Sequence, residues 1–271
     1  MRILFIGDIY GQPGRRVVRD HVADIVTTRR IDLVVANGEN AAAGFGITPN
    51  LVEELLACGI AVLTSGNHIW DKRELAPWWT SGVKQPGHAC ERLLRPANFG
   101  EALPGAGLFQ GRTQTGEPFA VINLQGRVYM TPLACPFRTA DALLAKIPAH
   151  CRTILVDFHA EATSEKQALG WYLDGRVTAV LGTHTHVPTA DERILPKGTG
   201  FQTDVGMTGS YAGVIGSRVE DVLQRLLQGY PAKLEPSDGD VRICGTLIET
   251  GAGDFEGRAL SIERFQLRKT D

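Results

Sequence analysis

Residues able to hold hard metal ions recur immediately after short apolar runs. Asp8 follows Ile3-Leu4-Phe5-Ile6, Glu39 and Asn40 follow Leu33-Val34-Val35-Ala36, and Asn67 and His68 follow Ile60-Ala61-Val62-Leu63. Beyond the midpoint, His159 follows Ile154-Leu155-Val156, and His184 and His186 follow Val177-Thr178-Ala179-Val180-Leu181. Carboxylate and amide oxygens together with neutral imidazoles form a donor set that admits manganese, iron, zinc or cobalt. A dinuclear hydrolytic centre also needs an anionic bridge and an open position for water. In this chain Asp8 would bind one ion, Glu39 would bridge, and Asn67 and His159 would bind the second. His184 and His186 would be divided between the two. Ions about 3.5–4 Å apart can clamp a phosphoryl group and activate water.

The elements that position these donors follow from the same runs. Four or five apolar residues bounded by glycine read as buried strands, and ligands of open α/β sheets collect outside the carboxyl ends of strands. Five strand ends therefore converge on one polar site. Strands are expected near 2–7, 32–36 and 60–64, with helices near 14–29 and 49–58. Such alternation builds βαβ units. Pro13 and Pro49 stand near helix starts and Gly59 near a helix end. Residues 80–118, broken by Pro86, Pro96 and Pro104, read as a loop-rich connection. Strands resume near 119–124, 153–157, 177–181 and 200–203, with helices near 163–173 and 217–228 and final strands near 240–249 and 259–267. The last segment alternates apolar with polar residues as a one-sided antiparallel strand does, which makes the second sheet mixed. The expected architecture is one domain over residues 1–271, a four-layer αββα sandwich of two stacked mixed sheets flanked by helices.

The spacing of His184-Thr185-His186 would let two side chains at a strand end point the same way, with a turn separating them slightly. Gly38, Gly66 and Gly182, each just before ligands, would supply tight turns or positive φ.

Composition removes several classes of function. With 43% hydrophobic and 21% charged residues the chain has the make-up of a folded globular protein. A formal net charge of −2 supplies no long-range attraction to nucleic acid or an anionic membrane, so no extended nucleic-acid surface is expected. The short apolar run at the N-terminus is broken by Asp8 and reads neither as a secretory signal nor as a membrane span, which places the protein in the cytoplasm. Cys58, Cys90, Cys135, Cys151 and Cys244 form no CxxC pair and read as reduced structural thiols, Cys135 being the one candidate for reactivity. The expected partner is a small phosphodiester, and a homo-oligomer is compatible with the sequence.

Gly7-Asp8, Gly38-Glu39-Asn40, Gly66-Asn67-His68, Phe158-His159 and Gly182-Thr183-His184-Thr185-His186 resemble, in order, the motifs of the calcineurin-like metallophosphoesterase superfamily. The Gly38-Glu39-Asn40 form followed by Ala41-Ala42-Ala43-Gly44 is similar to a bacterial branch of 2',3'-cyclic-nucleotide phosphodiesterases. That resemblance implies hydrolysis of small cyclic nucleotides by a metal-activated hydroxide, two ions that are iron or manganese before zinc, and His68 as the general acid. Most of the superfamily carries Asp-x-His where this chain has Asp8-Ile9-Tyr10, so one imidazole is missing, and Asn40 would offer its amide oxygen instead. Glu39 stands where a bridging Asp is usual.

Several assignments stay open at this level. Asp71 would either orient the His68 ring or cap a helix. The turn Thr203-Asp204-Val205-Gly206-Met207-Thr208-Gly209 would either wall the site or serve as plain turn chemistry. Trp70, Trp78 and Trp79 read as packed aromatics before a base-stacking wall, and His21, His88 and His150 as ordinary histidines. A phosphomonoesterase or protein phosphatase on the same metals, or a weakly active nucleotide-sensing regulator, are the competing functions. A dinucleotide-binding reading fails because Asp8 would set a carboxylate beside the pyrophosphate.

Overall fold

The computed structural model describes residues 1–268. The chain runs through β1 (Arg2–Ile6), β2 (Asp8–Ile9), α1 (Gly11–Arg29), β3 (Leu33–Asn37), α2 (Pro49–Ala57), β4 (Val62–Thr64), α3 (Leu75–Gly82), β5 (Leu108–Arg112) and β6 (Pro118–Gln125). It continues through α4 (Pro136–Leu144), β7 (Thr153–His159), α5 (Thr163–Leu173), β8 (Ala179–Thr183), β9 (Arg193–Ile194), β10 (Gly200–Gln202) and β11 (Met207–Ser210). The last elements are α6 (Val219–Gln228), β12 (Val241–Thr250) and β13 (Ala259–Arg268).

The first sheet has the order β2-β11-β12-β1-β3-β4 with β13 on the other edge of β12, and the second has the order β5-β6-β7-β8-β10-β9. β1, β3 and β4 are parallel, and so are β6, β7, β8 and β10. The antiparallel members of the second sheet are β5 and β9.

Alternation along each strand explains the layering. Leu4, Ile6 and Val34 pack under Val17, Val22 and Leu55 of α1 and α2, whereas Ile3, Phe5, Leu33 and Val35 face the second sheet and meet Val121, Leu155 and Leu181. Ile122, Val156 and Val180 turn the other way, onto Ala140 of α4 and Leu169 and Leu173 of α5. Both faces of each sheet are thus covered, giving the expected four layers. Each fully buried aliphatic side chain in them contributes about 1.5–3 kcal/mol. Thr48 caps α2 by accepting from the Leu51 amide, with Pro49 in the first turn, and Gly59 leaves it at φ 98°.

Four expectations need correction. β13 pairs with β12 in the first sheet, so the second sheet owes its mixed character to β5 and β9. The stretch 80–118 is not wholly loop, because β5 lies within it and pairs with β6; its glycine and proline content hid a strand at the sheet edge, where pairing on one side suffices. α4 follows Cys135-Pro136 and is a helix that the sequence reading did not include. Gly38, Gly66 and Gly182 all have ordinary negative or extended φ; the role of Gly66 and Gly182 is close packing, described below.

Candidate metal centre

The face between the sheets changes character along every central strand. Inward positions begin apolar and become polar at the carboxyl ends: Leu33 and Val35 give way to Asn37, Val62 to Thr64, Val121 to Asn123 and Gln125, Leu155 to Asp157 and His159, and Leu181 to Thr183. All of these polar residues are fully buried. Buried polar groups need partners, and here they find each other. Asn37 Nδ2 donates to Asp157 Oδ2 at 3.0 Å, the Thr64 hydroxyl donates to the same oxygen, and Asn123 holds the Ser65 backbone through both ends of its amide.

On this floor the proposed donors meet. His159 Nε2 lies 2.9 Å from Glu39 Oε1, 3.0 Å from Asn67 Oδ1 and 3.0 Å from His184 Nδ1. Ligands about 2.1 Å from a shared ion and at right angles stand about 3.0 Å apart, so this spacing is that of one coordination shell. Close by, Asn40 Nδ2 lies 3.0 Å from His186 Nε2 and 3.5 Å from Glu39 Oε1. Asp8 Oδ1 lies 3.9 Å from His159 Nδ1, and Asp8 Oδ2 accepts from the His184 amide at 3.2 Å. His184 thus stands with His159 and Asn67, and His186 with Asn40, with Glu39 between the two groups.

The donor set fits a pair of hard cations. Asp8 Oδ1 and Asn40 Oδ1 are buried without a hydrogen-bond partner among the described residues, a costly state that a cation would relieve. Gly66 supplies the cradle: a Cβ at this position would overlap the His159 ring and Glu39 Oε2. Gly182 allows an equally close approach to the Thr203 carbonyl.

The electrostatics of the metal-free cluster are those of anions and cations held out of water. Burial would lower the His159 imidazole, but Glu39, as charge and hydrogen-bond partner, and then Asp8 and Asp157 raise it to about 9. Burial would raise Glu39, and His159 outweighs this and holds it at about 2. Burial raises Asp8 above its ordinary value against the pull of His186 and His159. His184 falls to about 3 through burial and the neighbouring His159 charge.

The two loop histidines do not sit as strand neighbours. β8 ends at Thr183, and His184 and His186 have φ of 101° and 65°, so the expectation of side chains aligned by strand geometry is replaced by a left-handed turn. Side-chain anchors hold that turn. Thr185 donates from its amide and hydroxyl to Asp204 Oδ2, which also receives the buried Lys166 ammonium at 2.7 Å. Asp204, between β10 and β11, therefore supports the histidine loop from behind, and residues 207–209 of the expected turn belong to strand β11. Glu161 Oε2 lies 3.1 Å from His184 Nε2, and the Ile215 carbonyl lies 3.0 Å from His186 Nδ1. Each ring is held through the nitrogen opposite the one facing the cluster.

His68 lines the cavity above the cluster. Its amide donates to Glu39 Oε2, its Nδ1 lies 2.9 Å from Asp71 Oδ2, and Phe45 packs edge-on against its ring at 5.2 Å. Asp71 thus stands as the orienter of His68. Tyr10, in the place of the missing imidazole, has its hydroxyl 2.7 Å from the Ser217 hydroxyl and packs edge-on against His186. The cavity holds about 580 Å³ and is also lined by Val222, Arg225 and Leu226 of α6 and by Ile215, a size suited to a small organic ligand. Trp70 and Trp79 pack on each other at 5.8 Å within the helix layer, away from the cavity. Cys135 meets the Arg127 guanidinium at 3.7 Å and does not line the cavity. His88 accepts from the Cys90 amide as a cap.

Sequence reasoning passed over Asp157, Glu161, Lys166 and Gln125, and named Thr183 and Asp204 only as members of their motifs. An Asp inside the run Thr153-Ile154-Leu155-Val156-Asp157-Phe158-His159 was the available signal, since a carboxylate rarely occupies the middle of a buried strand without a partner. Gln125 lies in register with His159 and has neither end of its buried amide satisfied.

Residues 4–265 match the model of the YmdB-like protein family. The chain belongs to the YmdB-like family. It is 45% identical over 264 residues to the 2',3'-cyclic-nucleotide 2'-phosphodiesterase of Bacillus subtilis (strain 168), covering 97% of this chain and 96% of the relative. Among solved structures, this YmdB-like fold superposes on a hypothetical protein from Thermus thermophilus with a TM-score of 0.89 and 42% identity, over the whole of both chains. A novel phosphatase from Mycoplasma pneumoniae gives 0.87 and 31%, covering 100% of this chain and 94% of that one.

Proposed function

We propose that the protein is a dinuclear-metal phosphodiesterase that opens small cyclic nucleotides of the 2',3' type. The observation that supports this most is the meeting of carboxylate, amide and imidazole donors from successive strand ends beneath a nucleotide-sized cavity, two of their oxygens buried without a partner. The name of the Bacillus subtilis relative gives the same substrate class for that enzyme.

Asp8, Glu39, Asn40, Asn67, His159, His184 and His186 would hold two ions, with iron or manganese favoured and zinc admitted by the donor set. When bound, such ions neutralise the phosphate oxygens and acidify the attacking water. The chain's own contributions are three. Glu39 and the imidazoles fix where the phosphate sits, α6 lines one side of the cavity, and His68 protonates the departing ribose oxygen. Asp71, 2.9 Å from Nδ1, holds the His68 ring for that step. The substrate is a small molecule, for which no extended basic surface is required. Among the described residues no helix is long and apolar enough to cross a membrane. All five cysteines are free, which supports the reducing cytoplasm as location.

The deciding experiment follows products from 2',3'-cyclic AMP with manganese-loaded protein. Cleavage at the 2' oxygen leaves adenosine 3'-phosphate, and that product is expected. Turnover of p-nitrophenyl phosphate with none of the cyclic diester would replace this reading with a phosphomonoesterase, in line with the name phosphatase given to the Mycoplasma pneumoniae protein. Tight nucleotide binding without any turnover would make the protein a sensor.

A further inference from the structure

The Gly182-Thr183-His184-Thr185-His186 segment interleaves threonines with the histidines, and the metal ligand set leaves the threonines without a role. Thr185 anchors the loop to Asp204. Thr183 does something different. Its hydroxyl, fully buried, donates to Asp157 Oδ1 at 2.7 Å and lies 2.9 Å from His159 Nδ1. We propose that Thr183 is a positioning residue that sets the tautomer of His159, so that Nδ1 keeps its hydrogen and Nε2 presents the lone pair to the metal.

A hydroxyl has one hydrogen to give. Asp157 Oδ2 already receives Asn37 Nδ2, a group able only to donate, together with the Thr64 hydroxyl. Oδ1 is the remaining acceptor, and Thr183 is its donor. Once that hydrogen is committed, the Thr183 oxygen can only accept from its other neighbour, which is His159 Nδ1. The neutral ring must then carry its hydrogen on Nδ1, and its free electron pair falls on Nε2. That nitrogen is the one within 2.9–3.0 Å of Glu39 Oε1, Asn67 Oδ1 and His184 Nδ1.

The chain of contacts also ties the ring to both sheets. Asn37 and Thr64 come from β3 and β4, Asp157 and His159 from β7, and Thr183 from β8. His184 and His186 each have a carboxylate or carbonyl on the distal nitrogen. His159 alone of the three reaches its carboxylate through an intervening hydroxyl. The inference rests on the reading of the cluster as a metal centre.

The test uses the full chain, with Thr183→Val, which keeps the β-branched shape in β8, and Thr183→Ser, which keeps the hydroxyl. Metal-free proteins are titrated calorimetrically with manganese, and imidazole nitrogens are observed by NMR in the zinc-loaded proteins. Thr183→Val is expected to weaken one of the two binding events by about 10–100-fold, the scale on which outer partners of ligating histidines act. Thr183→Ser is expected to bind like the wild type, and the His159 resonances of wild type and Ser variant to show hydrogen on Nδ1 and zinc on Nε2. Unchanged affinity in the Val variant, or a Ser variant as weak as Val, overturns the role of Thr183 while leaving the metal centre in place. Zinc on Nδ1 of His159 in the wild type overturns it without reference to any variant. A wild type that takes up no metal overturns both the centre and this inference.

Discussion

The His159 imidazole and the Glu39 carboxylate form an ion pair, Nε2 to Oε1 at 2.9 Å, with neither side chain exposed. The nitrogen that carries the proton in this pair is the one that a metal ion would occupy in the proposed centre. With His159 raised to about 9, the metal-free ring is protonated at neutral pH, and binding must expel that proton. Calorimetry in buffers of different ionisation enthalpy is expected to show about one proton released per chain at pH 7, with affinity falling about tenfold per pH unit below pH 9. Affinity flat between pH 6 and 9 would contradict it.

The same pair has a consequence for stability without metal. Its folded value lies above the ordinary 6.5, so its contribution is whole below about pH 6.5 and is lost as pH rises through about 9. The melting temperature of the metal-free chain is expected to decline over that window, and to do so less in His159→Gln.

His68→Ala is expected to leave metal content intact and lower turnover of the cyclic diester by about 10²–10⁴-fold, the range for removal of a general acid. Asp71→Asn, which removes the carboxylate beside Nδ1, should give a smaller loss of turnover with metal content unchanged. Equal turnover in wild type and His68→Ala would take the proton-donating role away from this residue.

Gly66→Ala tests the cradle. The added methyl would overlap the His159 ring and Glu39 Oε2, groups at the end of the strands and not in their apolar middle. Circular dichroism is expected to be unchanged while bound metal falls by at least about tenfold. Full metal occupancy in a folded variant would show that the cluster tolerates the displacement.

Lys166→Met removes the buried cation behind the histidine loop. Asp204 would be left fully buried with its charge uncompensated, and breaking such a pair from one side costs about 3–5 kcal/mol. Urea unfolding measures this loss. A change below about 1 kcal/mol would mean that the Thr185 and Gly206 amides suffice for Asp204.

The sequence by itself determined the chemistry of the ends of the strands. Apolar runs of four or five residues must be buried, a metal-binding side chain directly after each must emerge at a carboxyl end, and the order Asp8, Glu39-Asn40, Asn67-His68, His159, His184 and His186 was legible without any contact being known. The helix layer was legible too wherever an amphipathic period was long, as in α1 and α2. Tertiary structure decided what pattern cannot express. β13 chose the first sheet because pairing partners depend on which free edge is near, and α6 reveals its place only where it lines the cavity. Left-handed turns set the two loop histidines, and their anchors, Asp204 with Lys166 and Glu161, come from distant segments. Asp157 and Thr183 looked like interruptions in apolar strands until the sheets stacked. Asp157 finds Asn37 and Thr64 across the interface between sheets, and Thr183 finds Asp157 and His159 on the adjacent strand, because a buried donor or acceptor must be satisfied by whatever group the fold brings within about 3 Å.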